Sequence, residues 1–330
     1  MADARADTSP PSVELERQLE QHRVELTGYC YRMLGSAFEA EDAVQETLVR
    51  AWRGFDRFEG RSSLRSWLYR IATNVCFDLL NGRRRRARPM DLGPVGSADA
   101  SLGAPLPESA WVEPVPDGRV LPEEGDPAEL AVARETIRLA FVAALQYLPA
   151  QQRAVLVLRE VLRWRASEVA ELLGTSVAAV NSALQRARAT LGTAGLSTDA
   201  PPRVDDAQQA VVARYLDAFE RYDVDALVAL LHDDATHSMP PYDLWLRGPA
   251  EIRRWMLGPG IGCRGSRLVP VAANGAPAVG QYRRAGSGNG YEPFALHVLE
   301  LSDGRIAALN FFLDTERLFP LFGLPPTPPE

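Results

Sequence analysis

The stretch ASEVAELLGTSVAAVNSALQRARATL, residues 166–191, predicts two short helices joined by a tight turn. In the first helix, Val169, Leu172 and Leu173 share the apolar face, and Gly174 supplies the turn. Thr175 or Ser176 then suits the cap of the second helix. The residues of that second helix that recur at helical spacing, and so face the core, are Val180, Leu184, Ala187 and Leu191.

The opposite face of the second helix is polar. At about 100° per residue it carries Ser182, Gln185 and Arg186, with Arg188 beside them. These side chains suit base edges and phosphates in a major groove. The alternative is a plain helical hairpin with a solvated face. Because no carboxylate occurs from Ser176 to Leu191, the pattern favours an anionic partner and predicts a DNA-binding helix-turn-helix.

A second basic segment lies upstream, in residues 61–88, where eight Arg face a single acid. Phe55 and Phe58 come just before it. Aromatic rings beside dense Arg suit single-stranded nucleic acid, because bases stack while Arg follows the phosphates. The loop between Phe58 and Ser63 has room for a flipped base. In the alternative, the two Phe are core residues and the Arg run is merely solvated. The nucleic-acid hypothesis places Arg65, Arg83 and Arg84 at the DNA.

The chain separates into segments of different character. Helical periodicity over 13–88 gives way to a stretch rich in Pro, Gly, Ala and Ser, and resumes from about 127 to 191. A helix is then predicted over Asp206–Leu231 and another over Pro249–Leu257, before four strand-like stretches: Arg267–Ala272, Ala276–Arg283, Phe294–Leu301 and Ile306–Leu313. We therefore expect a disordered N terminus (1–12), a helical module (13–90), a linker (91–129), a helix-turn-helix module (130–197) and an α+β domain (206–321).

Composition limits the classes of function. The 330 residues carry a net charge of −7, so nucleic acid would have to be bound by local patches. The 36 Lys-plus-Arg residues are all Arg, whose planar guanidinium can donate two hydrogen bonds to a phosphate or a guanine. The three Cys form no Cys-x-x-Cys pair, which argues against a zinc site or disulfide framework. No apolar run suits a signal peptide or membrane helix, so we expect a cytoplasmic protein. We also expect no bound metal or cofactor.

Two segments of the helical module, taken together with the helix-turn-helix, resemble a known protein family. The segments AEDAVQETLVRAW (40–52) and FEGRSSLRSWLYRIATNVCFDLL (58–80), together with the helix-turn-helix, resemble an extracytoplasmic-function (ECF) sigma factor of the sigma-70 family. The resemblance makes residues 13–90 sigma region 2 and residues 130–197 sigma region 4, both all-α. It implies that the protein binds core RNA polymerase and promoter DNA and initiates transcription at minus-10 and minus-35 elements.

The resemblance also implies roles for individual residues. The polar side of the first segment would bind core polymerase through Asp42, Gln45, Glu46 and Arg50. The minus-10 base would be captured by a loop containing Phe58, Gly60, Ser62 and Ser63, with Asn74 near the melted DNA. Trp67 and Asp78 match positions around melting but also fall on the predicted inward face. Thr73, Asn181 and Ala183 stand where the family often has basic residues, which leaves Ser182, Gln185, Arg186 and Arg188 for the minus-35 element.

The remaining segments resemble parts of sigma factors with a fused domain. Residues 215–256 are similar to a SnoaL-like domain, an α+β fold in which a curved sheet wraps around helices as a cone. The linker residues 111–117, WVEPVPD, resemble the tryptophan–proline motif of such proteins. The resemblance implies that the fused domain controls the sigma module. The regulatory linker residues are then Trp111, Pro114 and Pro116.

The C-terminal domain also contains residues that could do chemistry. His232, Asp233, Asp234 and His237 would support acid–base catalysis if a His–Asp pair lined one pocket. In the alternative, the two Asp solvate a helix end and His237 is partly buried, and this alternative is preferred because a fold does not confer chemistry. We therefore expect that the protein is not an enzyme. A pocket formed by His237, Tyr242 and Trp245, holding an unknown small ligand, remains open.

Two other functions compete with the sigma factor. A one-component regulator would combine the helix-turn-helix with a ligand domain and bind palindromic sites as a dimer. An enzyme with an accessory nucleic-acid module would need a stronger catalytic set than residues 206–321 offer. The segment 40–80 favours the sigma factor, because neither alternative needs a polymerase-binding helix followed by a base-capturing loop.

Overall fold

The computed structural model describes residues 11–60, 62–193, 206–286 and 290–329. The chain divides into two compact units, each built from discontinuous segments. The first unit combines the chain up to Arg83 with residues 118–125 and 147–196. The second combines residues 84–117 and 126–146 with the chain from Ser197 onward. Within the described residues, no helix has both the length and the apolar character needed to cross a membrane.

The first four helices are α1 (Pro11–Glu20), α2 (Arg23–Leu34), α3 (Ala37–Gly54) and α4 (Leu64–Leu80). Helix α1 begins inside the N-terminal segment predicted to be disordered, of which residues 1–10 lie outside the described residues. Ser36 caps α3 by accepting a hydrogen bond from the Glu39 N–H, and Ser63 caps α4 in the same way from Ser66. Cys30 and Cys76 are free thiols buried in this core. A hydrogen bond with Cys30, and then burial, raise the pKa of Cys76.

The predicted linker contains short helices, α5 (Pro89–Leu92) and α6 (Asp117–Val120), and a 3-10 turn at Glu108–Ala110. Four helices follow: α7 (Pro127–Glu135), α8 (Leu139–Leu145), α9 (Ala150–Leu156), which continues as a π-helical turn, and α10 (Ala166–Leu173). Gly174, at φ +63°, ends α10 in the left-handed region that favours glycine. Helix α11 (Val177–Thr193) completes the predicted helix-turn-helix.

Within the first unit, the helix-turn-helix segment packs against the helices α2 and α4. The ring of Trp164, just before α10, lies 5.1 Å from that of Tyr69 on α4, measured between centroids. The buried guanidinium of Arg153 on α9 donates to the carbonyl of Met33 at the end of α2. Burial lowers the pKa of Arg153 to about 10, so the group remains charged at neutral pH. Arg70 and Glu171 add an ion pair at 3.8 Å.

The C-terminal domain opens with α12 (Asp206–Arg221) and α13 (Val224–Ala229), then forms a six-stranded sheet. The strands are β1 (Leu231–Ser238), β2 (Trp245–Arg247), β3 (Arg267–Ala273), β4 (Ala276–Arg284), β5 (Tyr291–Ser302) and β6 (Arg305–Phe312), in the order β2-β1-β6-β5-β4-β3. Strands β1 and β6 run parallel, and all the other pairs are antiparallel. Helices α14 (Pro249–Leu257) and α15 (Thr315–Leu321) complete the domain. The core includes Phe219, Trp255 and Phe311.

Four strands and the helix at 249–257 agree with the sequence prediction, but the predicted helix over Asp206–Leu231 is two helices. Two strands were missed. The run His232–His237 was interpreted as following a helix end, yet it lies in β1. The sequence pattern did not predict this strand because two adjacent charged residues, Asp233 and Asp234, interrupt the alternation. Both are exposed, whereas Ala235 and His237 are buried. Strand β2 has only three residues, too few to show a period.

Candidate polymerase, promoter and regulatory sites

One face of α3 presents polar side chains to solvent. Asp42, Gln45, Glu46 and Arg50 are all exposed, opposite the buried Val44, Thr47, Leu48 and Ala51. The helical spacing of Val44, Leu48, Ala51, Trp52 and Phe55 predicts one apolar face, and this prediction is wrong at Trp52, which is 57% exposed. Trp52 lies two turns after Gln45, so an exposed indole extends the polar face. Arg50 bridges Glu46 at 2.7 Å and Asp78 of α4 at 3.5 Å, and Asp78 is exposed rather than inward-facing.

The loop between α3 and α4 is organised by three aromatic rings. Phe58 lies 4.9 Å from Trp67 and 5.9 Å from Phe55, between ring centroids. Phe58 is half-buried in this cluster, and Gly60, at φ +67°, is exposed with open space around its Cα. Ser62 and Ser63 follow, Ser63 as the cap of α4. Arg61 lies outside the described residues. The described part of the loop therefore combines an exposed glycine with a cluster of three aromatic rings.

The residues of α4 that the sequence predicts to contact DNA differ in their exposure. Asn74 is exposed, whereas its neighbour Thr73 is fully buried, with its hydroxyl 2.8 Å from that of Tyr29. Thr73 therefore packs where the family often has a basic residue. Arg65 bonds Glu25 at 2.8 Å, and its guanidinium lies over the rings of Tyr69 and Trp164. Arg65 is thus held inside the first unit.

The Arg run after α4 does not behave as one basic surface. Arg83 is exposed and pairs with Glu39, and Arg84 is exposed. Arg86 is buried: its Nη1 donates to the carbonyls of Glu108 and Trp111 at 2.8 and 2.7 Å, and it lies 3.9 Å from Glu113. Treating the run as uniformly solvated or DNA-facing was wrong at Arg86, which holds the linker. Sequence gives no signal that separates it from its neighbours.

The second helix of the helix-turn-helix presents the predicted face. Ser182, Gln185 and Arg186 are exposed, and the inward residues are Val180, Ala183, Leu184, Ala187 and Leu191. Ala183, which replaces a basic residue of the family, packs in the core. Arg188 is exposed but pairs with Glu160 at 2.6 Å. Three of the four predicted minus-35 residues therefore share one open surface, and the fourth borders it in an ion pair.

The tryptophan–proline segment of the linker lies in the second unit and is largely buried. Trp111 is 3% exposed, Val112 and Val115 are also buried, and Trp111 pairs with Ala87 through a backbone bridge. Pro116 forms a bridge with Ala273 at the end of β3. Trp111 and Pro114 line a cavity of about 420 Å³, together with Tyr242 of the C-terminal domain. This segment of the linker is thus packed onto the C-terminal domain rather than exposed.

The β3–β4 turn holds two segments of the second unit. Val115 donates its N–H to Asn274 Oδ1 at 3.0 Å, and the Asn274 amide donates to the carbonyl of Ile137 at 2.7 Å. Gly275 donates its N–H to Asp117 at 2.8 Å. Burial raises the pKa of that aspartate. One turn therefore bonds the linker at Val115 and Asp117 and also Ile137, which lies two residues before α8. No sequence feature singled out Asn274, because an Asn-Gly pair predicts only a hairpin.

The interior of the C-terminal domain is filled. A cavity of about 10 Å³ remains among Tyr215, Phe219 and Phe311, which suffices for about one water. His237 points into this core, 4.7 Å from the Phe311 ring, and neither ring nitrogen has a partner among the described residues. Burial lowers the pKa of His237 to about 4. The buried His297, bonded to Tyr215 and Gln281, also has a pKa well below its usual value, from burial first and then from His237.

The predicted C-terminal pocket residues do not meet. His237 lies in the core, Tyr242 lines the larger cavity, and Trp245 donates its Nε1–H to the carbonyl of Gly93 at 3.0 Å. Asp233 lies on the outer side of β1, 3.5 Å from Arg305. The described residues therefore place no His–Asp pair in one pocket.

Comparison with known proteins places these sites in a family. Family models match sigma-70 region 2 over residues 19–86, sigma-70 region 4 over 138–191 and a SnoaL-like domain over 212–309. The ECF RNA polymerase sigma factor SigG of Mycobacterium tuberculosis is 47% identical over 93% of this chain and 82% of its own length. The chain belongs to the ECF sigma factors.

Other members of this sigma-factor family share the fused architecture. SigJ of Mycobacterium tuberculosis is 30% identical over 88% of this chain and 89% of its own length. The crystal structure of SigJ covers 95% of this chain and 100% of the SigJ chain, with a TM-score of 0.60 at 25% identity. The predicted fold is thereby confirmed: helical sigma regions 2 and 4 followed by a SnoaL-like α+β domain. In this sigma factor, Asn274, Arg86 and Trp52 are the residues that sequence reasoning missed.

Proposed function

We propose that this sigma factor binds core RNA polymerase through the exposed face of α3, formed by Asp42, Gln45, Glu46 and Arg50, with Trp52 as an aromatic anchor. The observation that supports this most strongly is that all five side chains lie exposed on one helix whose other face is core. Charged residues at the edge of an interface guide the encounter of two proteins, whereas aromatic residues often contribute most of the binding energy. Because these positions lie outside the core, they are available to a partner.

The promoter would be read by two surfaces. The loop Phe58–Ser63 and the exposed Asn74 and Arg84 take the single-stranded minus-10 element. Ser182, Gln185 and Arg186 take the minus-35 element in the major groove. The contacts of Arg65, Arg83 and Arg188 with carboxylates assign them a smaller role, since each must exchange an acid for a phosphate before it can bind DNA. The protein initiates transcription as part of the polymerase, in the cytoplasm, and we assign it no catalytic activity of its own.

The arrangement of the first unit suggests an inactive state. Elements at minus-10 and minus-35 lie about 25 base pairs apart, which is about 85 Å of duplex at roughly 3.4 Å per base pair. In the first unit, region 4 packs against region 2 through Trp164 and Tyr69, at a ring separation of 5.1 Å. The two promoter-reading surfaces must separate before one DNA molecule can engage both.

The C-terminal domain would control this separation. Trp111, Pro114 and Pro116 hold the linker on the domain, and Asn274 bonds the domain to Ile137, two residues before α8 of region 4. Both segments must be free to move if the sigma regions are to separate. The domain thus favours the closed arrangement and lowers transcription, in keeping with a population shift between two states.

Run-off transcription with core polymerase tests the assignment. Full-length protein should direct specific initiation at a cognate promoter, and alone it should bind duplex promoter weakly, because two modules need fixed spacing to gain effective concentration. Deletion of residues 206–330, and separately Trp111→Ala, should raise initiation while preserving helical structure by circular dichroism. Tight binding of a palindromic site by a dimer, without polymerase, would instead identify a one-component regulator. Wild-type transcription by both variants would reject control by the domain.

A further inference from the structure

The cavity beside the linker, here called the linker cavity, lies between the linker and the C-terminal domain within the second unit. Its volume of about 420 Å³ lies in the range of small-molecule sites, roughly 300–1,000 Å³. The linker contributes Trp111 and Pro114 to its wall, and the C-terminal domain contributes Tyr242 and Phe312. It is separate from the filled core around His237. An occupant of the linker cavity would therefore touch both the linker and the domain.

The linker cavity is acidic as well as aromatic. Glu108, Glu113 and Asp314 line it. Arg317 contacts all three carboxylates, and Arg86 lies 3.9 Å from Glu113. These ion pairs bring three carboxylates to one side of the cavity, in contact with Arg317 and Arg86. Asp314 is partly buried, and that burial raises the pKa of its carboxyl. A cation placed here would gain Coulomb energy and relieve the crowding of acids around Arg317.

The aromatic wall favours the same charge. The rings of Trp111, Tyr242 and Phe312 can pack on a flat apolar group, and the faces of aromatic rings attract cations. Trp111 is 3% exposed, and its indole N–H has no acceptor among the described residues. A cationic amine carries no acceptor for this N–H, so the indole contributes its ring face to binding and not its N–H. A carboxylate ligand, by contrast, would meet three acids.

We propose that the linker cavity binds a small organic cation that carries an aromatic ring. The ring packs among Trp111, Tyr242 and Phe312, and the cationic group lies beside Glu108 and Asp314. The ligand then bridges linker and domain and strengthens their contact. Only this last consequence, stabilisation of the closed sigma factor, depends on the function proposed above, because binding itself needs neither polymerase nor DNA.

Three probes of equal size test the binding. Full-length protein labelled with 15N-tryptophan is titrated with 1-naphthylmethylamine, 1-naphthalenemethanol and 1-naphthylacetate, which are cationic, neutral and anionic at pH 7. We expect the indole N–H signal of Trp111, assigned by its loss in Trp111→Phe, to shift with the amine. The amine should bind at least roughly threefold more tightly than the alcohol, the size of a modest cation–π and ion-pair contribution. Equal binding of all three probes, or a Trp111 signal that does not move, would overturn the proposal.

Matched variants locate the charge. Glu108→Gln and Asp314→Asn should each weaken binding of the amine roughly two- to fivefold and leave the alcohol unaffected. Glu316→Gln is the control, because Glu316 is an exposed acid two residues after Asp314, in the first turn of α15, that does not line the cavity. Thermal unfolding confirms that each variant is folded. If Glu316→Gln weakens the amine as much as the other two, the attraction is only the general negative charge of the domain, and the site is rejected. Failure here leaves the run-off test of sigma activity untouched.

Discussion

The side-chain amide of Asn274 donates to the backbone carbonyl of Ile137 at 2.7 Å, while its Oδ1 accepts from the N–H of Val115 at 3.0 Å. Asn274 sits at φ +57°, where Asn is tolerated better than most residues. Its own N–H also donates to the Val115 carbonyl at 3.1 Å. One buried residue therefore joins a turn of the C-terminal domain to the linker and to the start of region 4.

Asn274→Gly should raise run-off transcription several-fold. Glycine accepts the positive φ and keeps the backbone bond, so the change removes the side-chain bonds to Val115 and Ile137. At about 1 kcal/mol for each bond, the closed state loses roughly 2 kcal/mol. Asp303→Gly is the matched control, because Asp303 has φ +50° in the exposed β5–β6 turn. Equal transcription by the two variants and wild type would argue against the clamp.

Arg86→Ala should destabilise the protein, although the sequence places Arg86 in a DNA-binding run. The change removes the donor to the carbonyls of Glu108 and Trp111 and one of the guanidiniums that contact the buried Glu113, and leaving such buried acceptors unsatisfied costs about 1–3 kcal/mol. Denaturant unfolding measures the loss. The exposed Arg84→Ala should leave the free energy of unfolding nearly unchanged and reduce promoter opening instead. A stable Arg86→Ala protein with defective DNA binding would restore the sequence interpretation.

Asp42→Arg and Glu46→Arg should each weaken binding to core polymerase without unfolding the chain. Both side chains are exposed, so little stability depends on them. Polymerase pull-down measures the defect, and circular dichroism checks that helicity is kept. Glu316→Arg applies the same charge reversal to the C-terminal domain and should bind polymerase normally. Normal pull-down by all three proteins would remove α3 as the polymerase-binding face.

Arg186→Ala should weaken recognition of the minus-35 element by about 1–3 kcal/mol if the guanidinium grips a base edge. Contact with phosphate alone would give a similar loss on every sequence and a shallower salt dependence. Binding of the polymerase complex to promoters with altered minus-35 sequences distinguishes the two. Arg221→Ala, which changes an exposed side chain at the end of α12, is the control. If neither affinity nor transcription changes, Arg186 does not touch the promoter.

Acid should destabilise the C-terminal domain through His237. Its pKa is about 4 in the folded protein, because burial opposes the charged form, and about 6.5 when unfolded. The unfolded chain thus binds more protons, so stability is full above pH 6.5 and falls as pH drops toward 4. From pH 7 to 5 the loss is about 2 kcal/mol. His237→Phe should remove that part of the pH dependence of unfolding. His232→Phe, on the same strand outside the core, is the control, and an equal effect there would contradict the assignment to His237.

Local pattern predicted the sites that depend on one helix. The period of residues 166–191 placed Ser182, Gln185 and Arg186 outward and Leu184 inward, because a regular helix fixes the direction of every side chain. The same reasoning placed Asp42 and Glu46. It failed at Trp52 and Asp78, where an apolar residue is exposed and an acid does not face inward. Strand β1 was missed because its outward residues are charged and its inward His237 resembles a catalytic group.

By itself, the sequence determined the helical modules, the α+β domain, the family and the helix faces that carry the candidate polymerase and promoter residues. These depend on contacts between residues a few positions apart or on motifs read along the chain. Tertiary structure alone decided that Arg86 holds the linker, that Asn274 reaches Ile137 across 137 positions, and that Trp111, Tyr242 and Asp314 share one cavity. Such contacts join distant segments through single hydrogen bonds and ring packing. They leave no period in the sequence, so only the folded chain reveals them.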